Sequence, residues 1–244
     1  SAYSHSQCIR GNKSENLEQA IACYEESLTV NTLKNFPYDW GMLHKNLGNA
    51  YSNRVQGDKS SNQQKAITYY HSALQIYTRE TFPEEWADTQ MSLGWVYYSL
   101  IRGDLAENLE RAIVYFEAAL QVYVQPNFYD EWADAQRGLG TVYVSRIRGN
   151  KAENLEKAIA FFEAALQVHT RETFPEAWGL TQVSLGNAYS IRIGGNKAEN
   201  MEKAITFNEA ALQVYTRETY SWAGKQMSLG NAYSIRIGGN KAEN

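Results

Sequence analysis

The chain has 244 residues, of which 23 are basic and 27 acidic, so its formal net charge is −4 at pH 7. Its cations are dispersed, which excludes the basic face that nucleic acids and anionic membranes require. No apolar run approaches the roughly 18–20 residues of a membrane-spanning helix. Two cysteines cannot build a disulfide framework, so a cytoplasmic location is predicted.

A unit of 46 residues repeats along the chain. Its Leu-Gly pairs begin at Leu47, Leu93, Leu139, Leu185 and Leu229, and the successive glycines are 46, 46, 46 and 44 residues apart. Tryptophans keep the same spacing at Trp40, Trp86, Trp132, Trp178 and Trp222. A fixed period of about 20–50 residues is typical of stacked supersecondary units. Function is therefore expected on a surface of equivalent positions rather than in one catalytic cleft.

The chain begins and ends inside a repeat. Residues 12–30 match the second half of a repeat, and residues 239–244 match the start of a second helix. We therefore predict one excised segment of a longer array, 1–244, with about ten helices. The predicted repeats are 1–34 (partial), 35–80, 81–126, 127–172, 173–218 and 219–244 (partial).

The repeat that follows residue 80 illustrates the first helix. Thr81 and Glu84 have the spacing of a capping box, and Pro83 suits a first turn. A helical stripe follows, and Gly103 is placed to end the helix in the left-handed conformation. The stripe consists of Trp86, Leu93, Tyr97 and Ile101.

The second helix of the same repeat begins at once. Asp104 and Glu107 form the next cap, and a second helical stripe follows. The stripe consists of Ala112, Ile113, Phe116, Ala119, Leu120 and Tyr123. The unit is therefore predicted to be two antiparallel helices of about 18–20 residues each.

These motifs resemble the tetratricopeptide repeat. The family's pattern appears as Leu93-Gly94-x-x-Tyr97 and then Ala112-x-x-x-Phe116-x-x-Ala119, and it recurs through nearly the whole chain. The family's first-helix Trp is replaced by Gln90, Gln136, Gln182 and Gln226, and the repeat is longer than the standard one. The resemblance implies an all-α, right-handed superhelical α-solenoid. Such long repeats look like those of kinesin light chains and of bacterial, notably cyanobacterial, signalling proteins.

The resemblance also implies a peptide groove on the first helices. The positions that match the family's groove are Lys45, Asn49, Ser52, Met91, Trp95, Tyr98, Arg137, Thr141, Val183, Asn187, Ser190, Met227, Asn231 and Ser234. An Asn amide offers both a donor and an acceptor, so it can pair with the backbone of an extended peptide. Trp95, Tyr98 and Met91 would add apolar contact area.

A non-catalytic scaffold that binds a protein or an extended peptide is the function predicted from this pattern. The alternative is a spacer or self-association arm for an effector domain, such as a caspase-like protease or an NTPase, elsewhere in a parent chain. End-to-end association would then use the stripe Leu229, Tyr233 and Ile237. We predict no enzyme site, no metal, no cofactor and no nucleic-acid partner.

Several chemical signals are interpreted as parts of the scaffold. His5, His44, His71 and His169 occupy repeat positions that other residue types fill elsewhere. Cys23 takes the place of Tyr69, Tyr115, Phe161 and Phe207, which predicts core packing, and Cys8 has no suitably spaced partner for zinc. Arg102-Gly103-Asp104 is interpreted as a helix stop followed by a cap, not as a cell-adhesion motif.

Overall fold

The computed structural model of the chain describes residues 13–214, which form nine α-helices and contain no strand. The helices are α1 (Lys13–Ser27), α2 (Pro37–Asn53), α3 (Lys59–Ala73), α4 (Pro83–Tyr98), α5 (Leu105–Ala119), α6 (Tyr129–Ser145), α7 (Lys151–Ala165), α8 (Pro175–Ser190) and α9 (Lys197–Leu212). The all-helical class is thus confirmed. The predicted tenth helix lies outside the described residues.

The helices pack in consecutive pairs, one pair for each repeat. The pairs are α2 with α3, α4 with α5, α6 with α7, and α8 with α9. In the first pair, Gly41 lies against Tyr77, and Gly48 lies against Tyr70. Since the partner's number falls as the residue's number rises, the two helices are antiparallel, as predicted.

The chain divides into two compact units, Ser1–Val122 and Tyr123–Asn244. Within the first unit, α1 contacts α2, α3 contacts α4, and the first helices α2 and α4 contact each other. Within the second unit, α8 contacts both α6 and α7. None of the helices between residues 13 and 214 is long and apolar enough to cross a membrane.

The start of α4 differs from the predicted capping box. Pro83 lies in the first turn, as predicted, but the residue before the helix is Phe82, whose side chain makes no capping hydrogen bond. The Thr81 hydroxyl instead lies 2.9 Å from the Thr78 hydroxyl and donates to the Ile76 carbonyl at 3.3 Å. Thr81 therefore holds the connection that precedes α4 rather than the N-terminus of the helix. The same arrangement recurs at Thr173.

Both helices of the repeat are shorter than predicted. Helices α4 and α5 have 16 and 15 residues, and residues 99–104 connect them. Ile101 lies in this connection and is 60% exposed, so it is not part of the α4 stripe. Gly103 does adopt the left-handed conformation, with φ +90°, but it does so within the turn. Asn108, which is buried, holds the turn because its Nδ2 donates to the Arg102 carbonyl at 2.8 Å.

The second helices begin with the predicted caps. The Asp104 carboxylate accepts from the Glu107 backbone N–H at 2.8 Å, and Asn150 and Asn196 cap α7 and α9 in the same way. Past the end of α5, the Val122 N–H bonds to the Ala119 carbonyl, three residues back. A nine-residue connection, 120–128, follows. The extra length of the repeat therefore lies partly in its connections.

The Leu-Gly motif marks the closest approach of the two paired helices. A Cβ added to Gly140 would lie 2.6 Å from the Phe162 ring, and one added to Gly94 would lie 2.9 Å from the Phe116 ring. The leucine beside each glycine is buried, with Leu93 and Leu139 no more than 1% exposed. At Gly94 and Gly140 a ring of the second helix thus packs directly on the first-helix backbone, whereas at Gly186 the Asn208 amide takes the place of the ring.

Candidate functional site

A pocket, called the Asn49 pocket below, lies between the first helices α2 and α4 of the first unit. Its volume is about 370 Å³, near the lower end of the range for small-molecule sites. Its lining residues are Asn49, Ser52, Asn53, Gln63, Ser92, Trp95, Val96 and Ser99. Three of the predicted groove residues, Asn49, Ser52 and Trp95, therefore come together here.

Asn49 lies in the wall between the two first helices. Its Oδ1 accepts from the Tyr70 hydroxyl at 2.7 Å and from the Ser92 hydroxyl at 3.5 Å. Burial raises the pKa of Tyr70, so that hydroxyl keeps its proton. The prediction that the amide pairs with both groups of a peptide backbone therefore needs correction, because its acceptor is already occupied. Its Nδ2 has no hydrogen-bond partner among residues 13–214.

Asn53 lies one turn further along α2. Its Nδ2 donates to the Asn49 carbonyl at 2.8 Å and approaches the Ser52 hydroxyl at 3.4 Å. Ser52, a predicted groove residue, donates to the same Asn49 carbonyl at 2.9 Å. The Asn53 Oδ1 accepts no hydrogen bond from any residue that the structure describes. Asn49 and Asn53 thus leave one amide donor and one amide acceptor at neighbouring places in the pocket.

Trp95 forms the aromatic part of the pocket. Its ring packs edge-on against Phe116 with the centroids 5.1 Å apart, and against Tyr98 with the centroids 6.2 Å apart. Both Trp95 and Tyr98 are partly exposed, as is Met91, the third residue of the predicted apolar contact area. This arrangement fixes the indole between the two helices of its own repeat.

Lys45 lies on α2 one turn before Asn49. Its Nζ lies 2.8 Å from an Asp88 carboxylate oxygen on α4, and its side chain is 19% exposed. The predicted groove cation is therefore already paired with an anion of the next repeat. As a result, the nearest charges on these two helix faces balance each other.

Gln63 is a pocket residue that the sequence analysis missed. It is 3% exposed, and its Nε2 donates to the Ser99 carbonyl at 2.7 Å while its Oε1 accepts from the Ile101 N–H at 3.2 Å. The Gln63 amide therefore satisfies the backbone just past the end of α4. The available signal was a polar residue in a column that is otherwise apolar, namely Leu17, Leu109, Leu155 and Met201.

In the second unit, the predicted groove positions lie on α6 and α8. The Arg137 guanidinium pairs with Asp134 on the same helix at 2.8 Å, and the Thr141 hydroxyl donates to the Arg137 carbonyl. Asn187 is exposed, and the Ser190 hydroxyl donates to its carbonyl at 2.7 Å. Val183 is partly exposed. The remaining predicted positions, Met227, Asn231 and Ser234, lie outside the described residues.

The histidines of the described part take structural roles in packed surroundings. His44 Nδ1 donates to the Trp40 carbonyl at 2.8 Å, and burial lowers the pKa of His44. His169 is fully buried, and its Nε2 lies 2.9 Å from Asp130 Oδ1, a pairing that the sequence did not reveal. Residues 13–214 contain no group of three or more side chains placed to hold a metal ion.

One of the scaffold interpretations is wrong and one is confirmed. Cys23 is exposed on α1 rather than packed in the core. The rings at the equivalent positions of the other repeats are themselves only partly buried, and the Cys side chain is shorter. Gly103 and Asp104 do form a turn and a helix cap, as predicted for the Arg-Gly-Asp sequence.

Comparison of the chain with protein-family models gives no match, and comparison with curated proteins gives no significant match. The fold and the pocket therefore define the class directly. The described residues form an all-helical repeat protein whose helices pack in pairs.

Proposed function

We propose that the chain is a non-catalytic scaffold that binds a protein partner, as an extended peptide, along the first helices of its repeats. The observation that carries this proposal is the Asn49 pocket, a concavity between two consecutive first helices. Three residues that the tetratricopeptide resemblance assigns to a groove, Asn49, Ser52 and Trp95, line it. Successive repeats present equivalent positions, which is how repeat proteins build extended binding surfaces.

Trp95 is the residue expected to contribute most to the affinity. A partly exposed indole in a concave site offers a large, rigid contact area at low cost in side-chain entropy. Tryptophans in such positions are frequent binding hot spots, whose truncation costs about 2 kcal/mol or more, or about 30-fold in affinity.

A tetratricopeptide relationship, a right-handed superhelix, one continuous array over 1–244 and a cytoplasmic location belong to the same proposal. The 46-residue period and the antiparallel helix pairs support it. The spacer alternative predicts no specific peptide binding, so one experiment separates the two functions.

A phage-displayed library of random dodecapeptides, selected against the whole chain, tests the proposal. Enriched sequences would be synthesised with a fluorescent label and titrated by fluorescence anisotropy. Trp95→Ala should weaken binding by about 30-fold. Val114→Ala, an exposed position on the second helix α5, is the control and should leave binding unchanged.

The fold of each variant would be checked by circular dichroism, because Trp95 also contacts Phe116. If no peptide is enriched, or if enriched peptides bind folded Trp95→Ala as tightly as the unaltered chain, the proposed groove is wrong. The spacer function would then be the better interpretation.

A further inference from the structure

We infer that the Asn49 pocket recognises a side-chain carboxamide, that of glutamine or asparagine, in the bound peptide. This inference rests on the proposed function, and it names the chemistry that the pocket selects. It is supported by the charge of the pocket, its unused hydrogen-bonding atoms, its apolar wall and its counterpart in the second unit.

The pocket favours an uncharged occupant. None of its eight lining residues is charged. The charged pair on the neighbouring turn, Lys45 and Asp88, is joined at 2.8 Å and offers no net charge to a ligand. Transfer of an ionised side chain out of water, with no opposite charge to pair with it, costs more free energy than transfer of a neutral polar side chain.

The unused polar atoms match both halves of a carboxamide. Asn49 Nδ2 is a donor, and Asn53 Oδ1 is an acceptor; neither has a partner within the described part of the chain. The two side chains share one face of α2, because they lie four residues apart, and both line the pocket. A ligand amide can accept from Asn49 and donate to Asn53. A carboxylate would meet the Asn53 oxygen unfavourably, and an ammonium group would meet the Asn49 amide protons.

The remaining walls suit the aliphatic part of such a side chain. Trp95 and Val96 provide apolar surface beside the two asparagines. The Ser99 carbonyl and the Ile101 N–H, just past α4, need no hydrogen bond from a ligand, because Gln63 already bonds to both. A volume of about 370 Å³, near the lower end of the range for ligand pockets, is sufficient for one such side chain.

The corresponding positions in the second unit lack this combination. The register of 46 residues places Thr141 and Ser145 where the first unit has Asn49 and Asn53. The Gln63 and Ser99 positions become Leu155 and Ile191. Carboxamide recognition is therefore expected at the first unit only, and Ser145 supplies a matched control.

The experiment uses blocked amino acids on the whole chain. N-acetyl-glutamine N-methylamide, and the glutamate and methionine analogues, would each be titrated to tens of millimolar. Binding would be followed by NMR through the side-chain amide signals of Asn49 and Asn53 and the indole signal of Trp95. The glutamine compound should give saturable shifts, with the other two at least about tenfold weaker.

Asn53→Ala removes the acceptor and should weaken glutamine binding about tenfold, whereas Ser145→Ala should leave it unchanged. Asn53 is exposed and bonds only within its own helix, so its removal should not unfold the chain. Equal binding of glutamate or methionine, or no effect of Asn53→Ala, overturns the inference.

The same probes separate this inference from the proposed function. Selected peptides that bind through Trp95 but tolerate replacement of every Gln and Asn by Glu would leave the groove standing and refute the carboxamide site. Saturable glutamine binding without any peptide binder would support the pocket and count against the peptide scaffold.

Discussion

Alanine at Gly140 tests the helix packing on which the repeat depends. The added Cβ would lie 2.6 Å from Cε1 and 2.7 Å from Cδ1 of Phe162. Phe162 is only 1% exposed, so its ring cannot move into solvent. Overpacking of this kind costs about 1–3 kcal/mol, while replacing a helical Gly by Ala returns about 1 kcal/mol. Because the contact of 2.6 Å is severe and the ring is buried, we take the upper part of that range, about 2–3 kcal/mol, and expect a net loss of about 1–2 kcal/mol in the free energy of unfolding.

Three further variants, one of them a double variant, isolate the cause of that loss. Gly41→Ala introduces the same helix-favouring change, but its Cβ would meet Tyr77 at 3.1 Å, so its stability should change by less than about 0.5 kcal/mol. Phe162→Leu removes the ring that faces Gly140. In that background, Gly140→Ala should cost less, which gives a coupling energy of about 0.5–1 kcal/mol or more.

Urea unfolding followed by circular dichroism measures the unaltered chain and the four variants, with the slopes compared before the midpoints are converted to free energies. The reasoning is refuted if Gly140→Ala is as stable as the unaltered chain, or if its effect is simply additive with that of Phe162→Leu. Either result would mean that the paired helices lie further apart than the contact of 2.6 Å requires.

Two other predictions concern the second helices. Asp104→Ala removes the acceptor of the Glu107 N–H and should lower stability by about 1 kcal/mol, seen as a lower Tm, whereas Asp104→Asn should retain most of it. The Arg192 guanidinium holds the pKa of Glu156 below its ordinary value, so their pair stabilises the fold fully above about pH 4.3 and less as the pH falls through the lowered pKa. The free energy of unfolding of the unaltered chain should therefore exceed that of Glu156→Gln by about 0.5 kcal/mol near pH 6, and this difference should disappear near pH 3. An equal difference at both pH values, measured by urea unfolding, would contradict this linkage.

The repeat and its local signals are readable from the amino-acid sequence alone. The 46-residue period appears directly as recurring Leu-Gly pairs and tryptophans, and it predicts the paired helices. The caps at Asp104 and its equivalents, and the left-handed Gly103, follow from residues within one or two turns of each other. Such signals are readable because helix formation and capping depend on short-range spacing. The helix ends were less predictable. Ile101 has the spacing of the α4 stripe, yet the turn held by Asn108 takes it out of the helix.

Packing between the helices sets which of the predicted groove residues can still bond to a ligand. Lys45 pairs with Asp88, and the Asn49 oxygen bonds to Ser92; in both cases the two residues are 43 positions apart in the chain. No periodic pattern shows such pairings, because each joins two different repeats and depends on how their first helices meet. A different contact between repeats, from α3 to the backbone just past α4, makes Gln63 part of the pocket wall. The repeat is thus a local property of the sequence, whereas the pocket arises from packing between repeats.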